Sequence, residues 1–323
     1  MIKIFGTLGP ACNNADILLE MINNGMTGMR LNLSHGDISD FSEYLNNLKI
    51  AENKSGRKID IVIDVEGPEI RVGDIAPLEL IEGMYVEIGK DIPLDTSIIS
   101  QLEVGMICRL DDGKIELKVV SKAGNVACCE VTRGGKLLSR KSFTVIGYTF
   151  TRPVLTQRDV DNLKESNKYE VFAMLQPFVH SSSDVDAVRK VLFEQKCQHI
   201  AIISKIEDEI GIANMEDIVS ASDYVVFARG DLGNNMDIWK LPKLQKRLAE
   251  VCKKHGKPFI IATQLLASME SNPTPTRAEM NDIFNCAYDG AYGLMLTGET
   301  AVGKYPSKAI EYLYNASKEA IEK

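Results

Sequence analysis

The sequence predicts an α/β fold: a closed (β/α)8 TIM-type barrel interrupted after its third strand by an all-β domain. Three observations carry that expectation. Eight short apolar runs, near residues 4, 30, 61, 173, 203, 226, 261 and 295, alternate with segments of helical period. Between residues 72 and 147 the rhythm gives way to short β-prone runs and frequent turns. The polar residues Ser34, Asp64, Glu207, Asp231, Thr263 and Thr297 all fall where a strand stops, the end on which such barrels carry active sites. The expected division is therefore 1–71 with 148–323 for the barrel and 72–147 for the insertion.

The first strand, around Ile4, closes at Gly9-Pro10, and a helix over 16–24 stops before Gly25. In the second run Arg30, Asn32 and Ser34 alternate with Met29, Leu31 and Leu33, which fits a half-exposed strand or a site built on a buried one. A helix over 41–53 leads to the third strand, which ends in Asp64. The insertion contributes runs at 85–88, 106–110, 115–120 and 126–131. Helices then follow over 156–166, 183–195, 210–221, 243–255, 277–288 and from 307 onward, separating the remaining five strands.

The chain has 323 residues, 45% hydrophobic and 25% charged, which is ordinary for a globular protein. A net charge of -8 argues against a general nucleic-acid binder but not against an anionic substrate held by a metal or a local cation cluster. Seven cysteines without a C-x-x-C pair suit reduced thiols in a cytoplasmic protein, and the four histidines lack metal-ligand spacing. No apolar run is long enough to span a membrane, and no signal peptide is evident.

Alternation puts Lys205 and Glu207 on one side of the fifth strand's end, with Ile206 facing away. A buried ion pair that only secures the barrel mouth is one reading. The other is a site, because Asp231 ends the next strand beside Gly230 and Gly233. Two carboxylates from adjacent strands suit Mg2+, which completes its shell with substrate and water oxygens. Lys205 would then be a point charge for a phosphoryl group or a developing enolate. The Ala228-Arg229-Gly230 backbone would offer N–H groups to a carboxylate, and Arg30 and Arg71 would hold a phosphate. Asn32, Ser34 and Asp64 offer oxygen ligands for a second hard cation. Thr263 and Thr297 would relay a proton, or would simply reflect β-propensity. The residues alone reach metal-assisted phosphoryl or enolate chemistry.

The chain resembles the pyruvate kinase family. The carriers are Gly6-Thr7-Leu8-Gly9-Pro10, the run from Met29 to Gly36, Gly67-Pro68-Glu69-Ile70-Arg71, Asp111-Asp112-Gly113, Ile203-Ser204-Lys205-Ile206-Glu207, the run from Ala228 to Gly233, Ala262-Thr263-Gln264, Pro275-Thr276-Arg277-Ala278-Glu279 and Leu296-Thr297-Gly298-Glu299-Thr300. The resemblance implies a barrel with a β-barrel lid, and glycolytic phosphoryl transfer from phosphoenolpyruvate to ADP, giving pyruvate and ATP, with Mg2+ or Mn2+ and K+. It implies that Lys205 stabilises the transferring phosphoryl and the enolate, and that Glu207 and Asp231 bind the divalent ion. Asn32, Ser34, Asp64 and the Val65 carbonyl would bind K+, with Glu69 similar to the residue of K+-dependent members. Arg30 and Arg71 would face phosphates, and Ala228, Arg229, Gly230, Asp231 and Thr263 would hold the pyruvate carboxylate. Thr297 and Glu299 match proton-relay positions, while Pro10, Asn32, His35 and Lys141 match nucleotide contacts.

Four departures accompany the resemblance. The family's D-T-K-G-P-E-I-R places Glu66 where a lysine is usual, and its S-F-[IV]-R becomes Pro177-Phe178-Val179-His180. Asn234-Asn235-Met236-Asp237 replaces V-E-I-P, and Lys141-Ser142-Phe143-Thr144-Val145-Ile146-Gly147 replaces K-G-V-N-L-P-G. The carboxy-terminal effector domain is expected to be absent, with a homodimer through the barrel as the largest assembly. The alternative expectations are a paralogue using the metal and enolate machinery on another phosphoryl acceptor or enolpyruvyl-type substrate, and a non-catalytic binding protein.

Overall fold

Five of the eight short apolar runs are dominated by Ile, Val and Phe, residues that suit strands covered on both faces. In the computed structural model, which describes residues 2–322 except 112, 149, 151 and 152, all eight form one closed parallel barrel. Its strands are β1 (Lys3–Thr7), β2 (Gly28–Asn32), β3 (Asp60–Asp64), β11 (Val171–Gln176), β12 (Ala201–Ile206), β13 (Tyr224–Ala228), β14 (Phe259–Ala262) and β15 (Gly293–Met295). They pair in chain order, and β15 closes onto β1 through Lys3 opposite Gly293. Asp112 of the Asp111-Asp112-Gly113 motif lies outside the described residues.

The barrel interior is filled by Phe5, Val62, Ala173, Leu175, Ile203, Val226, Ile260, Ala262 and Met295. Phe5 needs glycine on both sides: a Cβ at Gly28 would sit 2.2 Å from its ring and one at Gly293 2.8 Å. A larger apolar layer lies between the strands and the surrounding helices. These are α1 (Ala15–Asn23), α2 (Ser42–Ser55), α4 (Gln157–Ser166), α5 (Ser182–Glu194), α6 (Glu209–Ala213), α7 (Met215–Ala221), α8 (Arg229–Asn235), α9 (Leu241–His255), α10 (Arg277–Tyr288), α11 (Gly298–Ala301) and α12 (Pro306–Glu319), with α3 (Thr96–Ser100) in the insertion. Capping boxes at Thr156/Asp159 and Thr276/Glu279 start α4 and α10. Left-handed Gly56 and Gly256 end α2 and α9.

Two sequence expectations change. The helix over 210–221 is broken at Asn214, whose side-chain amide leaves the helical path to donate to the His180 carbonyl at 2.8 Å. The second strand stops at Asn32, so Ser34 lies in the 3-10 turn Leu33–His35 rather than on the strand. Asn32 ends the strand by accepting the Ser34 N–H on its side-chain oxygen.

The chain divides into two compact units, Met1–Gly67 with Val154–Lys323, and Pro68–Pro153. In the second unit, β5 (Tyr85–Ile88), β6 (Ile107–Leu110), β7 (Ile115–Ala123), β8 (Val126–Arg133) and β10 (Phe143–Val145) form a five-stranded antiparallel sheet, ordered β10-β6-β7-β8-β5. The short β4 (Leu78–Leu80) and β9 (Gly135–Leu137) make a separate pair. The described strands of this unit thus form two antiparallel sheets. Their core is Val86, Ile88, Leu110, Leu117, Val131 and Phe143, with neighbours of the same kind. Among the described residues no helix is long and apolar enough to cross a membrane.

Candidate active site

The carboxyl ends of β2, β3, β12 and β13 bring five charged side chains into one array. Asp64, the last residue of β3, accepts from the Arg30 guanidinium, with Nε at 2.8 Å. Its other oxygen, buried and without a hydrogen-bond partner, faces Lys205 Nζ at 3.5 Å. Lys205 pairs with Glu207 at 2.7 Å, so the two side chains do lie on one side of the strand and, in this structure, contact one another directly. Glu207 also accepts the Phe178 N–H at 3.0 Å. Asp231, in the first turn of α8, acts on Lys205 and Glu207 through its charge.

Three carboxylates therefore face two cations. Burial opposes the charge on Lys205, but Asp64, Glu207 and Asp231 outweigh it and raise the ammonium's pKa, so Lys205 stays charged. Burial likewise works against Asp64, yet Lys205 and Arg30 hold it below the usual carboxylate range. Glu207 is where the imbalance shows. Burial and the charge of Asp231 push its carboxyl up to about 7 against the pull of Lys205. A site short of one positive charge, with one hard carboxylate just after β12 and another in the helix that follows β13, fits a divalent cation that takes its remaining ligands from substrate and water. No group of three or more His, Cys, Asp or Glu side chains forms a metal cage among the described residues.

The loop after β14 adds the second feature. Thr263 and Gln264 both adopt left-handed backbone, φ +70° and +53°. That is a rare conformation for a β-branched residue and costs on the order of 1–3 kcal/mol per residue. Thr263 Oγ1 accepts the Gly230 N–H at 2.7 Å, and a Cβ at Gly230 would come within 3.3 Å of the same oxygen. The Gly230 N–H expected to face a substrate carboxylate is thus engaged by Thr263. Arg229, expected among the substrate contacts, is buried and turned into the protein. Its guanidinium donates to the carbonyls of Thr263 and Gln264 and pairs with Asp282. Ala228 is buried at the end of β13.

Thr297 precedes α11, and buried Glu299 accepts its N–H at 2.8 Å and its hydroxyl at 3.4 Å. The other Glu299 oxygen accepts the Leu266 N–H at 3.1 Å, tying the loops after β14 and β15 together. Pro10 and His35 are exposed, in the 3-10 turns after β1 and β2. Val65 and Glu66 follow β3, where Asp159 accepts the N–H groups of Glu66 and Gly67. Arg71 and Lys141 belong to the second unit. There Arg71 donates to the Arg140 carbonyl at 2.9 Å and pairs with Glu69, and Lys141 pairs with Asp111 at 2.8 Å.

Sequence reading missed Thr7, Phe178, Asp159 and Asp282. Thr7 Oγ1 accepts from Arg30 at 3.2 Å and donates to the Leu296 carbonyl at 2.8 Å, across the seam of the barrel. The Thr156-x-x-Asp159 capping box was the readable signal for Asp159. The other three act through backbone atoms or distant partners and leave no local pattern.

A parallel barrel with a charged lysine, an acidic pair and a strained threonine loop at its carboxyl end defines a candidate enzyme for anionic substrates. Comparison with known proteins narrows this. The family model described as the barrel domain of pyruvate kinase matches residues 1–310, and the chain belongs to that family. It is 37% identical to a pyruvate kinase of Geobacillus stearothermophilus over 97% of this chain, and 35% identical to one of Aeropyrum pernix over its whole length. A pyruvate kinase of Corynebacterium efficiens is 36% identical over 95% of the chain. The chain spans 55% of the Geobacillus protein and 71% of the Aeropyrum one.

Proposed function

We propose that the chain transfers a phosphoryl group from phosphoenolpyruvate to ADP, giving pyruvate and ATP. The observation that carries this reading is the half-buried Lys205, held cationic between buried Asp64 and Glu207 at the barrel's carboxyl end. In that position it stabilises the negative charge that develops on the enol oxygen as the P–O bond to phosphorus breaks. The phosphoryl group passes to a terminal oxygen of ADP, and the enolate left behind takes a proton at its methylene carbon. Thr297, hydrogen-bonded to Glu299, and Thr263 are the hydroxyls proposed to move that proton. Arg30, fixed by Asp64 and Thr7, faces the phosphoryl oxygens.

Glu207 and Asp231 would hold Mg2+ or Mn2+, which when bound neutralises phosphate and carboxylate charge on the substrates. Asn32 and Asp64 are register partners on β2 and β3. With Ser34 and the Val65 carbonyl they provide the hard oxygens proposed for K+, and the Asp64 oxygen that faces Lys205 without a hydrogen bond supports that role.

A different acceptor was the competing expectation, because Glu66 and His180 change charges that the family keeps positive and Pro177 removes a hydroxyl. In this chain Glu66 pairs with Arg158 at 3.1 Å, and His180 with Asp208 at 2.6 Å. Both changes are met by local partners rather than left acting on the site, which favours the ordinary acceptor.

A lactate-dehydrogenase-coupled assay with phosphoenolpyruvate, ADP, Mg2+ and K+ tests the reading. Turnover dependent on both cations is expected. Phosphoenolpyruvate binding without turnover on ADP would transfer the function to another acceptor.

A further inference from the structure

Arg229, beside the proposed substrate site, makes four hydrogen bonds through its guanidinium. Its guanidinium donates to the Thr263 carbonyl from Nε at 3.2 Å and from Nη2 at 3.0 Å, and to the Gln264 carbonyl from Nη2 at 2.8 Å. Nη1 donates to Asp282 Oδ2 at 2.6 Å. The Arg229 side chain is only 11% exposed. Asp282 lies on α10, whose first turn also holds the end of this loop: Glu279 accepts the Ser268 N–H at 2.8 Å and its hydroxyl at 2.6 Å.

We propose that Arg229 and Asp282 form a latch that holds Thr263 and Gln264 in left-handed backbone, and that Arg229 is a positioning residue rather than a substrate contact. The chain of cause is short. Two consecutive left-handed residues other than glycine persist only where their surroundings over-determine them. The planar guanidinium binds both carbonyls at once, and Asp282 fixes its plane and balances its charge. With the backbone so held, Thr263 Oγ1 is placed to accept the Gly230 N–H. The latch thereby sets both the Thr263 hydroxyl and the start of α8, which carries Asp231. This deepens the phosphotransferase reading and rests on it for its kinetic consequence, but not for its structural one.

The test compares R229K, D282N and K246A in the full chain. A lysine ammonium cannot span two carbonyls and a carboxylate. D282N keeps the guanidinium and removes its counter-charge. Lys246, on α9, pairs at 2.7 Å with Asp289 at the end of α10 and serves as a control outside the loop. R229K is expected to accelerate amide hydrogen exchange over residues 228–235 and 259–266 by about tenfold or more. It should also lower kcat by about tenfold while moving KM for phosphoenolpyruvate by less than about threefold. D282N should give the same changes to a smaller extent, and decides the matter if R229K does not fold. Unchanged local exchange in both variants would overturn the latch, as would K246A matching them. Faster exchange with kcat intact would instead overturn the positioning role and leave Arg229 a purely structural residue. If the wild type turns over no phosphoenolpyruvate, the functional reading fails while the exchange arm still decides the latch.

Discussion

Lys205 reconciles two descriptions that a residue list keeps apart. It is one half of an ion pair with Glu207, and it is also the charge around which the proposed reaction site is built. Both follow from three carboxylates, two of them buried, sharing two cations. Removing Lys205 consequently does two things. Lys205→Met should lower turnover by a factor of about 10³, the scale of losing a preorganised electrostatic contact. It should also destabilise the protein by about 3 kcal/mol, because Asp64 and Glu207 stay buried without their common partner. Chemical denaturation beside the coupled assay reads both effects, and a variant of unchanged stability would contradict the charge balance described for Asp64, Lys205 and Glu207. The identity of these residues was legible in the sequence, since a strand that ends in alternating charges is conspicuous. Their contacts were not: Arg30 to Asp64, Asp64 to Lys205 and Arg229 to Asp282 join residues far apart in the chain, and no local period records such a pairing.

At the scale of elements, what the sequence shows well is period and what it shows poorly is where an element stops. The eight barrel strands were readable because parallel strands covered on both faces form unbroken apolar runs. The stop at Asn32 and the break at Asn214 were not, because each depends on an asparagine side chain finding one particular backbone group. Helix α10 shows how such a terminus supports the site. Glu279 caps its own helix and grips Ser268. Burial works against its charge, but hydrogen bonds from Ser268 and Thr276 hold its carboxyl below the ordinary value of 4.5. A depressed carboxylate contributes stability above its unfolded pKa and loses that contribution as pH falls through the folded one. The melting temperature of the wild type should therefore fall on acidification below about 4.5, and E279Q should show a shallower acid limb. Parallel limbs for the two proteins would remove Glu279 as a source of that dependence.

For the molecule as a whole, burial makes a further prediction. Cys128 is half-buried, and the other six cysteines are buried. Burial pushes the thiols of Cys12 to about 11 and of Cys129, Cys252 and Cys286 to about 12. A thiol reagent at neutral pH should thus titrate about one group in the native protein and the rest only on unfolding; rapid labelling of several would show the barrel core to be open. The same closed barrel is what places Lys205, the acidic pair and the Thr263 loop at one end, and the account of function stands or falls with that end. The most direct measurement is exchange of the methyl protons of pyruvate in deuterated buffer with Mg2+ and K+, followed by proton NMR without ADP. It isolates formation of the enolate from the choice of phosphoryl acceptor. Exchange catalysed by the wild type and lost in Lys205→Met is the predicted result, and wild-type rates in Lys205→Met, or no catalysed exchange at all, would contradict it.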